Sequence, residues 1–165
     1  LLLICVVLGL MIVTFYYAMN ATNIYIVLKD GMAKRAQVIM MEEDASELTK
    51  FFQSSYLQRD QNLQIALEGK SPYTYYTVRG IDHRLKMTWM WCWPWDTTAR
   101  AEFTETIPRI DGRVKSSSAD AARALYGDGF EYPPKWQGGR YAATLVKENG
   151  QWHVRSLTLL AQVDE

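Results

Sequence analysis

Cysteine is nearly absent from this chain: Cys5 lies in the first apolar run and Cys92 is the only one beyond it. No disulfide can close within the folded part, and thiolate metal sites of the CxxC kind are excluded. Histidine is as sparse, with only His83 and His153, and neither HxxxH nor HExxH spacing occurs. A glycine-rich phosphate loop and a G-x-S-x-G elbow are also missing, which removes the simplest nucleotide-hydrolase and α/β-hydrolase readings. No catalytic residue is assigned, and neither a metal nor a cofactor is expected. There is no surplus of one charge: 18 Lys and Arg stand against 18 Asp and Glu. Phosphate neutralisation needs a basic excess, so nucleic acid is not an expected partner. No internal repeat is present, and 48% apolar with 22% charged residues over 165 positions suits a folded chain with one core.

The longest feature present is itself defined by an absence. Leu1 to Met19 carries no charge, and such a segment as a helix rises about 28 Å, close to the ~30 Å hydrocarbon thickness of a bilayer. A transmembrane anchor over residues 1–22 is predicted, with the lipid bilayer as a partner. Tyr16 and Tyr17 fall at the level of an interfacial aromatic belt, and Asn20, Thr22 and Asn23 mark the exit into headgroups. A cleaved signal peptide fits less well, because Met19 and Ala21 are a poor pair for the cleavage positions. The first residue is leucine, so a leader is expected ahead of it. Lys29, Lys34 and Arg35 outnumber Asp30 beyond the anchor, a mild excess that favours a cytoplasmic C-terminal side.

From Asn23 to Met41 apolar residues recur at helical spacing, giving a juxtamembrane helix or linker over 23–41 with Gly31 as its weak point. Asp44-Ala-Ser-Glu47 has the form of a capping box ahead of a second helix, and Gln61 to Leu67 suits a third. Tyr73 to Arg79 reads as a first strand. The stretch Ile81 to Trp95, IDHRLKMTWMWCWPW, alternates so that Ile81, His83, Leu85, Met87, Trp89, Trp91 and Trp93 share one face. It is predicted to be one long strand, inner face apolar, which at ~3.3 Å per residue must bend or bulge. Met90 and Cys92 make the opposite face apolar near its end. Thr97 to Ile107 follows as a strand with Ala99, Ala101 and Phe103 inward, until Pro108 and Asp111-Gly112 interrupt it.

Ser116 to Gly127 suits a short capped helix. The loop Gly127 to Gly139 carries Phe130, Tyr132 and Trp136, which either staple it to the core or form a partner surface. Arg140 to Lys147 and Gln151 to Val163, joined through Glu148-Asn149-Gly150, form the strongest hairpin signal in the chain.

The fold class is α+β: helices packed on a curved antiparallel sheet, behind an N-terminal membrane helix. This order, closed by RYAATLVKENGQWHVRSLTLL, resembles the cone-shaped domains of the nuclear transport factor 2-like superfamily over roughly residues 42–165. Within that group the plan is similar to single-pass VirB8-like scaffold proteins of conjugation and secretion machines, and to anchored domains of transfer and sporulation assemblies. The resemblance implies a domain outside the cytoplasm that binds other proteins or itself. It also implies inspection of polar residues inside the cone. His83 is the best acid–base candidate, although Asp82 points away from it in a regular strand. Glu105 shares the alternation of Phe103 and Ile107, but Pro108 nearby is expected to leave that strand end irregular and exposed. Three functions follow: an assembly module with a partner surface at Phe130, Tyr132 and Trp136; a sensor with an apolar pocket lined by His83, Met87, Trp89, Trp91 and Phe103; and an isomerase- or dehydratase-like enzyme using His83.

Overall fold

A computed structural model describes residues 2–163. It is an α+β structure with helices α1 (Leu2–Met41), α2 (Ser54–Leu57), α3 (Gln61–Leu67) and α4 (Ala119–Tyr126). The strands are β1 (Tyr76–Ile81), β2 (Arg84–Trp91), β3 (Thr98–Thr106), β4 (Ile110–Val114), β5 (Gly138–Glu148) and β6 (Gln151–Val163). Strands β2-β3-β5-β6 make one antiparallel sheet, and β1 and β4 make a separate pair.

Helix α1 runs 40 residues without a break, about 60 Å. Its first half is exposed and apolar, long enough to cross a membrane. From Asn20 onward one face is buried, through Ile24, Leu28, Gly31, Met32, Arg35 and Ala36. The spacing of three and four is that of a core-facing stripe. The segment 23–41, expected as a juxtamembrane helix or linker, is the second half of α1 and a core helix of the domain, with no break between it and the apolar half. Lys34 pairs with Glu43 and Glu47, and Arg35 is buried, so the basic flank read as a topology signal is largely engaged within the fold.

Past Met41 the backbone turns at Glu42, which takes a left-handed φ of 55°. Asp44 then caps a short 3-10 helix, Ala45–Lys50, by accepting from the Ser46 amide. Glu47 pairs with Lys34 and Lys50 rather than closing a capping box, so the second helix is shorter than its pattern suggests. The following segment bridges to β6 at Phe52 and Val154, with Val154 N–H donating to the Phe51 carbonyl at 2.7 Å.

The long tryptophan strand is two strands. The chain breaks at Asp82 and His83, β1 pairing with β4 and β2 with β3, and regular structure stops at Trp91. Within β2, Met87 faces Phe103 but Trp89 faces Glu102, so Thr88 is the extra residue of a bulge. One added residue inverts the alternation. Before the bulge Leu85 and Met87 point inward; after it Met90 and the buried Cys92 do, while Trp89 and Trp91 turn outward beside Glu102 and Arg100. The expectation that these indoles belong to the inner face is corrected by that single residue. Asp111 and Gly112, expected to interrupt, lie inside β4, where Gly112 lets Pro133 and the Thr77 carbonyl approach. The hairpin turn forms as read, with Asn149 and Gly150 at φ 50° and 79°, the pair of positive values a type I′ turn requires.

Gly31 is no weak point in α1: a Cβ there would lie 2.8 Å from Phe51 Cβ, next to a backbone that cannot swing away. Gly31→Ala gains about 1 kcal/mol of helix propensity against roughly 1–3 kcal/mol of overpacking. The expected net effect is a lower melting temperature in detergent, whereas Gly9→Ala, where a Cβ meets nothing, is expected not to lower it.

Candidate functional site

The inner face of the sheet meets α1 over a cluster of polar side chains. Arg35 arrives on the buried stripe of α1, and its guanidinium forks onto Asp60, with Nη2 to Oδ1 at 2.9 Å and Nε to Oδ2. Asp60 is the N-cap of α3, accepting from the Leu63 amide at 3.2 Å, and it also accepts from the Tyr56 hydroxyl at 3.2 Å. One carboxylate thus holds α1, α2 and α3 together. Burial alone would raise the Asp60 carboxyl, but hydrogen bonding to Arg35 and its charge outweigh that and hold it below the usual carboxylate range. Burial works the other way on Arg35, and the Asp60 carboxylate overcomes it, so the guanidinium stays charged. Tyr56 and Tyr141 are both pushed up, first by burial and then by neighbouring carboxylates.

Opposite this fork stands Glu105 on β3, with no exposed surface. Its Oε1 lies 3.0 Å from His83 Nε2, and its Oε2 has no hydrogen-bond partner. The expectation of an irregular, exposed strand end is corrected: β3 stays paired through Thr106, with Leu85 on one side of Glu105 and Gly139 on the other. Pro108 acts only after the strand has ended. The sequence signal was the alternation of Phe103, Glu105 and Ile107, all three of them buried. His83 reaches Glu105 because it sits in the break between β1 and β2, where strand parity does not bind it.

An imidazole on a carboxylate is the minimal acid–base pair, and it is the contact that a catalytic His83 requires. Here it is closed, the two side chains being 7% and 0% exposed. Phe103 is fully buried and stacks on Tyr141, with ring centroids 5.6 Å apart. A cleft of about 450 Å³ opens past the end of β3, but it is lined by Thr106, Ile107, Pro108, Lys135, Trp136 and Val163, not by His83 or Glu105.

The five residues read as a pocket lining are parted by the bulge. His83, Met87 and Phe103 lie on the inner side, Trp89 and Trp91 on the outer. The loop aromatics also divide. Trp136 turns in against Tyr73, whereas Tyr132 lies exposed under Arg113, at 4.1 Å, and Phe130 under Arg123, at 4.6 Å. Trp152 is buried, and His153 beside it is only partly so. Cys92 is buried, and burial pushes its thiol up, away from thiolate chemistry. Among the described residues no three His, Cys, Asp or Glu side chains gather as metal ligands.

No family model, no curated protein and no solved structure matches the chain.

Removing Asp60 strands a buried guanidinium. Asp60→Ala is expected to cost roughly 3–5 kcal/mol, and the double change Arg35→Met with Asp60→Leu much less than the sum of its parts. Because the folded carboxyl is depressed, its contribution is complete above the ordinary carboxylate value of about 3.9 and is lost as pH falls through the folded value. Acid unfolding in detergent checks this: the double variant is expected to lose less stability between neutral pH and the acid range than the wild type.

Proposed function

We propose that the chain is a single-pass membrane protein whose α+β domain serves as a rigidly mounted assembly module, joining other proteins or further copies of itself at the bilayer surface. The observation that carries this reading is the continuity of α1. The helix that is apolar enough to span the bilayer is also the core helix of the domain, so the domain is held at a set height and angle. A helical core under an antiparallel sheet closed by a terminal hairpin supports a cone of the nuclear transport factor 2-like kind. By the same resemblance the domain stands outside the cytoplasm and belongs to a transfer, secretion or sporulation type of machine.

The other two functions draw less support. A sensor needs an apolar cavity facing its lining residues, and the bulge sends two of the five outward. An acid–base enzyme has the His83–Glu105 contact in its favour, but the pair is sealed under the sheet. A scaffold needs neither a cavity nor a reactive group. It needs an accessible, ordered surface, and the exposed Tyr132 and half-buried Phe130, each covered on one side by an arginine, offer aromatic anchors of the type that concentrates binding energy.

The test is self-association of the full chain in lipid nanodiscs or mild detergent, read by analytical ultracentrifugation. The wild type is expected to form dimers or larger species. Phe130→Ala with Tyr132→Ala is expected to raise the dissociation constant at least about tenfold, a loss of ~1.4 kcal/mol, with an unchanged melting temperature. A wild type that stays monomeric at all concentrations contradicts the self-assembling form of the reading.

A further inference from the structure

The tryptophans turned outward by the bulge have no partner in the domain core. Trp89, Trp91 and Trp93 are each nearly half exposed and Trp95 is 70% exposed. Trp91, Trp93 and Trp95 form one continuous surface: Trp91 meets Trp93 edge-on at 5.2 Å between centroids, and Trp93 stacks on Trp95 at 5.5 Å. No charged residue occurs along the chain between Lys86 and Asp96, and the charges that flank the indoles, Glu102 and Arg100, come from the neighbouring strand β3. In water so large an apolar patch is costly, and on a folded protein it marks a contact surface.

Its place on α1 says what it contacts. Asn20 Nδ2 donates to the Pro94 carbonyl at 3.1 Å, the Tyr17 hydroxyl donates to the Met90 carbonyl at 3.5 Å, and the Tyr17 ring lies 6.2 Å from that of Trp91. The indoles are therefore fastened to α1 at Tyr17 and Asn20, where its chargeless run ends. The exposed surface of Phe15, Tyr16 and Met19 on the helix lies at the same level. One to two turns further along, beside Asn23, Ile26 and Val27, sits the polar tip of the β5–β6 hairpin at Gly150 and Gln151. That is about 5–10 Å beyond the indoles along the helix, so the polarity of the domain rises with distance from the apolar run.

We propose that the segment Trp89–Trp95 is a second membrane contact, an indole-lined foot lying in the headgroup–acyl boundary of the bilayer that α1 crosses. Indoles favour that layer because the ring is apolar and its N–H finds an acceptor at headgroup level. With the helix as one support and the foot as another, the domain is held against tilting relative to the bilayer. The inference rests on α1 spanning the bilayer and adds a lipid-facing surface on the domain itself.

Four of the six tryptophans of the chain lie in the foot; the others are Trp136 and Trp152. The full chain is reconstituted into phosphatidylcholine vesicles whose acyl chains are brominated either near the headgroup or near the chain end. Near-headgroup bromine is expected to quench the emission more than chain-end bromine. In Trp93→Ser with Trp95→Ser, both exposed and outside regular structure, that quenching is expected to fall to about half, as two of four interfacial indoles are lost. Wild-type emission insensitive to bromine but quenched by aqueous iodide overturns the proposal, because the indoles are then in water. Emission shielded from both also overturns it, because the foot is then covered by protein, a second copy included. Alkaline carbonate extraction of the same vesicles reports the insertion of α1 separately, so a protein that stays in the membrane with wet indoles defeats this inference alone.

Discussion

The structure depends on one unbroken helix, apolar and exposed in its first half and buried along one face in its second. Every interior amide of α1 is hydrogen-bonded within the helix, which is what a bilayer demands of a spanning segment. The same property lets the helix enter the domain without exposing a backbone group. Leu2 to Met19 is apolar and exposed apart from Tyr17, which meets Met90 and Trp91, and from Asn20 a single stripe is buried against the domain. A connecting loop would free the domain to reorient. With no break near Asn20–Asn23, the orientation of the domain follows from that of the apolar half of α1.

The polar core sets how α1 sits against the rest. An apolar stripe alone tolerates sliding, because one leucine fills space much as another does. Arg35 does not, since its fork meets Asp60 in one place, and a shift of one turn, about 5.4 Å, would leave two buried charges apart. Asp60 is in turn the cap of α3 and the acceptor of Tyr56. Close approach at Gly31, where Phe51 lies against the helix, restricts the register further. Such groups add little net stability and act mainly by making alternatives expensive.

Periodicity made much of this legible. The chargeless run, the stripe from Ile24 to Met40, the helix at Gln61–Leu67, the strand at Thr98–Thr106 and the Asn149-Gly150 hairpin all follow from local rules that tertiary contacts did not override. The failures share a cause. Whether Thr88 bulges is decided by pairing with β3, a contact fourteen residues away in sequence, and inverting the strand after it moved Trp89 and Trp91 to the other face. Only the apolar Met90 and Cys92 hinted at the change. Break and pairing also hid the polar site: His83 lies between two sheets, and Glu105 is reached only once β3 is known to be flanked on both sides. Arg35 drew attention as a topology charge, and nothing local tells a buried arginine from an exposed one.

Outward tryptophans and a domain core shared with the apolar helix are what the proposed membrane contact draws on, and the aromatic loop is what the proposed partner contact draws on. The rigid mounting of the domain in that proposal rests on α1 being continuous through Asn20–Asn23. Hydrogen–deuterium exchange of the full chain in lipid nanodiscs measures that continuity directly, amide by amide. A continuous helix gives slow exchange from the apolar run through Met32, with no minimum between them. Fast exchange confined to Asn20–Ile24, between two protected stretches, would show an anchor joined to the domain by a hinge and would contradict the account.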